Sequence, residues 1–95
     1  MSDFETITIT VGANEYTVTE FSGKQRKALF DLYKKDQDPI TVQAHIVKMG
    51  CAELSTMSID NLLDLPGRVL LKLSDEILIL SGLTERAQAD AEKKS

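Results

Sequence analysis

LLDLPGRVLLKLSDEILILSGL, residues 62–83, is the longest strongly apolar segment of the chain. Pro66 lacks a backbone donor and has a fixed φ, which suits the first turn of a new helix better than the middle of an old one. Beyond it Val69, Leu70, Leu73, Ile77 and Leu80 recur at helical spacing, and Leu71 and Leu78 widen the stripe. Arg68, Lys72, Ser74, Asp75 and Glu76 share the remaining surface. Gly82 supplies a stop, because glycine enters the left-handed cap conformation without a steric penalty. So wide an apolar stripe must be buried against the rest of the chain, against another copy or against a client protein. Val69, Leu70, Leu73, Ile77 and Leu80 are accordingly the candidate protein-interaction residues, and self-association is expected.

Moving toward the N-terminus, Ser58 is placed to cap a short helix carrying Ile59, Leu62 and Leu63 that ends before Pro66. Glu53 to Met57 reads as a helix end and connector. Asp38-Pro39 starts the preceding helix, with Asp as cap and Pro at the first helical position. Ile40, Ala44, Val47, Cys51 and Leu54 recur on one face of it, with Ile46 beside them, and Gly50 weakens the helix or marks its end. Further back, Ser22 and Gln25 match a capping box. They open a helix whose Ala28, Leu29, Leu32 and Tyr33 form a buried stripe. Before Phe21 the period changes from helical to two. Ile7, Ile9 and Val11 face one way and Thr6, Thr8 and Thr10 the other, Gly12-Ala13-Asn14 turns, and Tyr16 and Val18 share a face of a second strand. A two-stranded hairpin is marginal alone, so its apolar face must lie on helices or extend a neighbour's sheet.

These elements predict a mainly helical α+β fold, with an N-terminal β-hairpin within residues 4–20 and three or four helices over 22–82. Residues 1–83 form one domain, and 84–95 a polar, flexible tail with no bulky apolar side chain and no part in folding. No internal repeat or linker divides the chain.

Ninety-five residues with 42% hydrophobic side chains are enough for one small core. A net charge of -4 argues against a dedicated nucleic-acid binder. The lone Cys51 has no internal disulfide partner, and the N-terminus lacks a signal-peptide pattern. Lys72, Asp75 and Glu76 interrupt the most apolar segment, which excludes an ordinary membrane span. A soluble protein of the cytoplasm is the expectation. The one locally basic stretch, residues 21–37, carries five positive and two negative side chains, against four negatives and no positives in 1–20. It reads as a solvated helix face or as a docking surface for an acidic partner.

No pattern points to catalysis. His45 and Cys51 stand six apart, about 120° out of phase on one helix, so they do not form a dyad. Asp60 and Asp64 would share a helix face, and Asp36 and Asp38 are merely close, but neither pair has the oxygen-rich loop of a calcium site. One sulfur and one imidazole are too few for zinc. Gly23-Lys24 lacks the glycine-rich run of a phosphate loop. Neither an enzyme nor a cofactor is expected, which leaves an interaction protein.

The order of elements, closing with Asp60, Leu62, Leu65 and Pro66, then Val69, Leu70, Lys72, Leu73, Ser74, Ile77, Ile79, Leu80 and Ser81-Gly82-Leu83, resembles the small tail assembly chaperones of long-tailed, non-contractile bacteriophages. The resemblance spans residues 3–83. It implies a protein of the host cytoplasm that binds the tape measure protein, an apolar helical rod, and keeps it soluble until tail-tube subunits polymerise around it. Such a chaperone is absent from the finished virion. The family is often made also as a longer frameshifted form, and Lys93-Lys94 is compatible with an adenine-rich slippery site. The connector Ser55-Thr56-Met57 is shorter than the family's usual loop. Two other readings stand beside this one. The first is a structural tail or head-completion component retained in the particle, its hairpin adding strands to a neighbouring ring subunit. The second is a small helical DNA-binding regulator, supported only by Lys24, Arg26 and Lys27.

Overall fold

The computed structural model describes residues 4–35 and 38–83. The expected tail from residue 84 onward, and Asp36, lie outside the described residues. The fold is α+β: an antiparallel hairpin, β1 (Thr6–Val11) and β2 (Asn14–Thr19), precedes four α-helices, α1 (Gly23–Lys34), α2 (Pro39–Gly50), α3 (Ile59–Leu63) and α4 (Gly67–Leu80). A single 3-10 turn, Ala52–Leu54, separates α2 from α3.

The hairpin register pairs Ile7 with Val18 and Ile9 with Tyr16, so the apolar residues of both strands share one face. Gly12, at φ 63°, occupies the left-handed region that the two-residue loop needs. Asn14, expected in the turn, already belongs to β2. The outer edge of β2 is covered: Cys51 forms an antiparallel bridge with Val18, and the Thr17 N–H donates to Glu53 Oε1 at 2.7 Å.

Each helix starts where its capping chemistry lies. Ser22 and Gln25 form the reciprocal capping box of α1, Asp38 accepts from the Thr41 N–H ahead of α2, and Ser58 accepts from the Asn61 N–H ahead of α3. Pro66 stands one place earlier than its expected first-turn position. Its backbone is extended, and it serves as the N-cap of α4, its carbonyl accepting from Val69 at 2.9 Å. α4 ends in a Schellman motif. Gly82, at φ 72°, donates to the Ile79 carbonyl at 3.1 Å, and Leu83 donates to the Leu78 carbonyl at 2.8 Å.

One core joins the layers. Ile9, Tyr16 and Val18 of the hairpin meet Leu29, four buried α2 side chains, Leu62 and the inner face of α4. α2 packs on α1, α3 and α4, whereas α4 packs on α2, α3 and the hairpin. α2 is therefore the central helix, which explains its wide buried arc of Val42, Ala44, Ile46, Val47 and Gly50. Two expectations fail here. Ile40, assigned to the α2 stripe, is 53% exposed: it shares the face of Ala44 and Val47 but lies in the first turn, before the buried positions begin at Val42. On α1 only Leu29 is fully buried and Leu32 is half-buried; Ala28 and Tyr33 are exposed, because the strip of α1 that meets the core is narrow.

At the closest approach of α2 to α4, a Cβ built on Gly50 would lie 2.7 Å from Ile77 Cδ1 and 2.8 Å from Cγ2. Glycine is thus required where the helices touch, not only as a helix end. At the connector, the Lys48 ammonium donates to the carbonyls of Ser55 and Met57, holding the short loop against the end of α2.

Candidate functional site

The structure draws the α4 stripe inward. Val69, Leu70, Leu73 and Ile77 are all buried in the chain's own core, and Leu80 is half-buried. Four of the five candidate interaction residues therefore spend their side chains on folding, since a stripe centred on Leu73 faces α2 and the hairpin. The apolar side chains α4 leaves outside are Leu71 and Ile79.

A different apolar surface lies on α1. Arg26, Phe30 and Tyr33 follow one another at helical spacing along its outer side. Phe30 and Tyr33 are 45% and 49% exposed, and their rings stand 6.2 Å apart at 60°, a tilted aromatic pair. Gly23, Arg26, Lys27, Phe30, Asp31 and Lys34 line a shallow open groove beside them. Partial burial raises the Tyr33 hydroxyl above its ordinary pKa, so the ring carries no charge at neutral pH. The basic character read from residues 21–37 therefore surrounds two exposed aromatics. Phe30 was not singled out by apolar periodicity. Its charged neighbours Arg26, Lys27 and Lys34, three and four residues away, are the signal that it faces solvent.

The residues with potential reactivity are not assembled into a centre. Cys51 follows the end of α2 in extended backbone, so it and the half-buried His45 do not share one helix. Burial pushes the Cys51 thiol up to about 11, and the thiol lies 3.6 Å from Glu53 Oε1. It packs as a small hydrophobe at neutral pH. The Glu53 carboxyl is held below its usual range chiefly by the Thr17 N–H, a structural contact between the 3-10 turn and β2. Asp38 is lowered in the same direction by the side chain and the backbone of Thr41, as expected of a helix cap. Asp60 lies in the first turn of α3 and Asp64 is its C-cap, both exposed. Among the described residues no three His, Cys, Asp or Glu side chains converge as a metal site, and no helix is long and apolar enough to cross a membrane.

The chemistry available at the α1 face is that of binding. Two aromatic rings offer apolar contact, and the flanking guanidinium and ammonium groups favour a partner with acidic residues beside its apolar stripe. No protein-family model, curated protein or solved structure matches the chain.

Proposed function

We propose that this protein is a non-catalytic assembly chaperone of a long-tailed bacteriophage. It binds and solubilises the tape measure protein in the host cytoplasm, helps recruit tail-tube subunits, and is absent from the mature virion. The sequence pattern from Asp60 to Leu83 supports the family reading, and the observation that carries the binding role is the exposed Phe30–Tyr33 pair on a basic helix face. Because the α4 residues of the pattern are mostly core, client contact falls to α1. An amphipathic client helix would lay its apolar side over Phe30 and Tyr33, with its acidic flanks toward Arg26, Lys27 and Lys34. Release follows when polymerising tube subunits bury the same client surface more extensively. An affinity near micromolar, about -8 kcal/mol, is strong enough to suppress aggregation and weak enough to be displaced.

Co-expression with the tape measure protein encoded by the same genome tests this. The expected result is a complex on pull-down and more soluble client, both reduced when Phe30 and Tyr33 are replaced by Ser. Absence of a complex and of solubility rescue, together with detection of this chain in purified virions, overturns the chaperone reading. That outcome promotes the alternative of a retained tail or head-completion component, which the β1 edge, unpaired among the described residues, favours.

A further inference from the structure

The two edges of the hairpin are treated differently. The edge of β2 is closed by Cys51 and by the Glu53 carboxylate, which accepts from Thr17. On the β1 side, among the described residues, the ladder stops. The Glu20 N–H donates to the Glu5 carbonyl at 2.9 Å, and with the observed register this makes Glu5, Ile7, Ile9 and Val11 the residues whose backbone groups point toward β2. The N–H and C=O groups of Thr6, Thr8 and Thr10 therefore point outward. Among the described residues none of them has a hydrogen-bond partner. TITITV itself carries none of the protections an edge strand can build in: it contains no charge and no proline, and its register runs without a bulge.

We infer that the β1 edge pairs with β1 of a second copy, antiparallel about a two-fold axis at Thr8, to give a continuous four-stranded sheet. The inference is independent of the chaperone reading, because it rests on the backbone and side chains of β1. In this register, and not in those with the axis at Ile7 or Ile9, Thr6, Thr8 and Thr10 all face threonines of the other strand. Thr8 pairs with Thr8 of the second copy and Thr6 with Thr10, so all three outward residues on each strand exchange hydrogen bonds. On the opposite, core-side face Ile7 meets Ile9 of the other copy. This extends the rows already formed by Val18 with Ile7 and by Tyr16 with Ile9. Ile7 is 36% exposed in the single chain while Val18 is fully buried, so the core stops short under β1 and leaves room for the added strand.

Charge does not oppose this register. Glu5 falls opposite Val11 of the second copy, and the two Glu5 side chains end about 20 Å apart, well beyond the screening length of about 8 Å. A slip of two residues toward the N-terminus moves the axis to Ile7, brings the two Glu5 to about 14 Å and sets Thr10 opposite Phe4. A slip the other way, with the axis at Ile9, places Thr6 opposite the Gly12 turn. Two six-residue strands form a contact smaller than standard stable interfaces, so the dimer is weak, with a dissociation constant on the order of 100 μM.

Sedimentation of the full chain from micromolar to millimolar concentration, with three variants, tests the pairing. The wild type should dimerise with rising concentration. Thr8→Pro removes an outward N–H that the single chain does not use, and should weaken dimerisation at least tenfold without changing the circular dichroism spectrum. If that variant misfolds, Thr8→Lys decides, since it sets like charges opposite each other across the axis. Under mild oxidation Thr8→Cys should cross-link at least tenfold faster than Thr10→Cys. The former sets two Cα atoms about 5.5 Å apart and the latter about 13 Å. A wild type that stays monomeric over the whole range overturns the inference and leaves the edge to a strand from another protein. A folded Thr8 variant that dimerises like the wild type, or equal cross-linking at positions 8 and 10, overturns it as well.

Discussion

α1 and α4 are amphipathic helices of 12 and 14 residues that use their large apolar side chains in opposite ways. α4 lies between α2 and the hairpin and turns Val69, Leu70, Leu73 and Ile77 into core. α1 rests on the core along a narrow strip, buries Leu29, and leaves Phe30 and Tyr33 outside among cations. Amphipathicity thus marks the side of a helix that seeks contact, and the number of neighbours around the helix decides how much of that side is covered.

The sharpest way to break the contrast is at Leu73, which has no exposed surface. Leu73→Ala should cost about 2–5 kcal/mol and lower Tm by about 10 °C or more, measured by thermal melting. Gly50→Ala comes next. The gain in helix propensity, about 1 kcal/mol, is outweighed by the overlap with Ile77, whose Cγ2 stands too close to its own backbone to swing away. A net loss of about 1–2 kcal/mol is expected, shrinking when Ile77→Ala is combined with it; denaturant midpoints of the two singles and the double measure this.

Ser81 ties the two helices together. Its hydroxyl accepts from the Phe21 N–H at 2.9 Å and donates to the Ile77 carbonyl at 2.7 Å, linking the end of α4 to the residue just before the α1 cap. Ser81→Ala leaves that amide without its partner and should cost about 1 kcal/mol in a urea titration. Glu53 gives a smaller, pH-dependent effect. Its folded pKa is depressed, so its contribution is complete above the unfolded value of about 4.3 and is lost as pH falls through the lower folded value. Glu53→Gln should therefore flatten part of the stability loss seen on acidification below about pH 4.3. At the small end, Phe30→Ser should change stability by no more than about 0.5 kcal/mol while weakening client capture. A fall as large as that of Leu73→Ala would show that α1 is packed like α4 and would erase the distinction.

Local chemistry made much of this fold legible from residues alone. The period-two alternation of Ile7, Ile9 and Val11, the Ser22–Gln25 capping box, Asp38-Pro39, Ser58 and the Gly82 stop each act within a few residues, so the elements and nearly all of their boundaries follow from sequence order. The apolar stripe of α4 was legible there too. What covers that stripe was not, because burial depends on which elements meet in space. Only the tertiary structure made α2 central, required glycine at the Gly50–Ile77 contact, closed one hairpin edge with Cys51 and Glu53, and left Phe30 and Tyr33 in solvent. Those outcomes rest on pairs such as Phe21 with Ser81, sixty positions apart, and no local periodicity encodes such contacts.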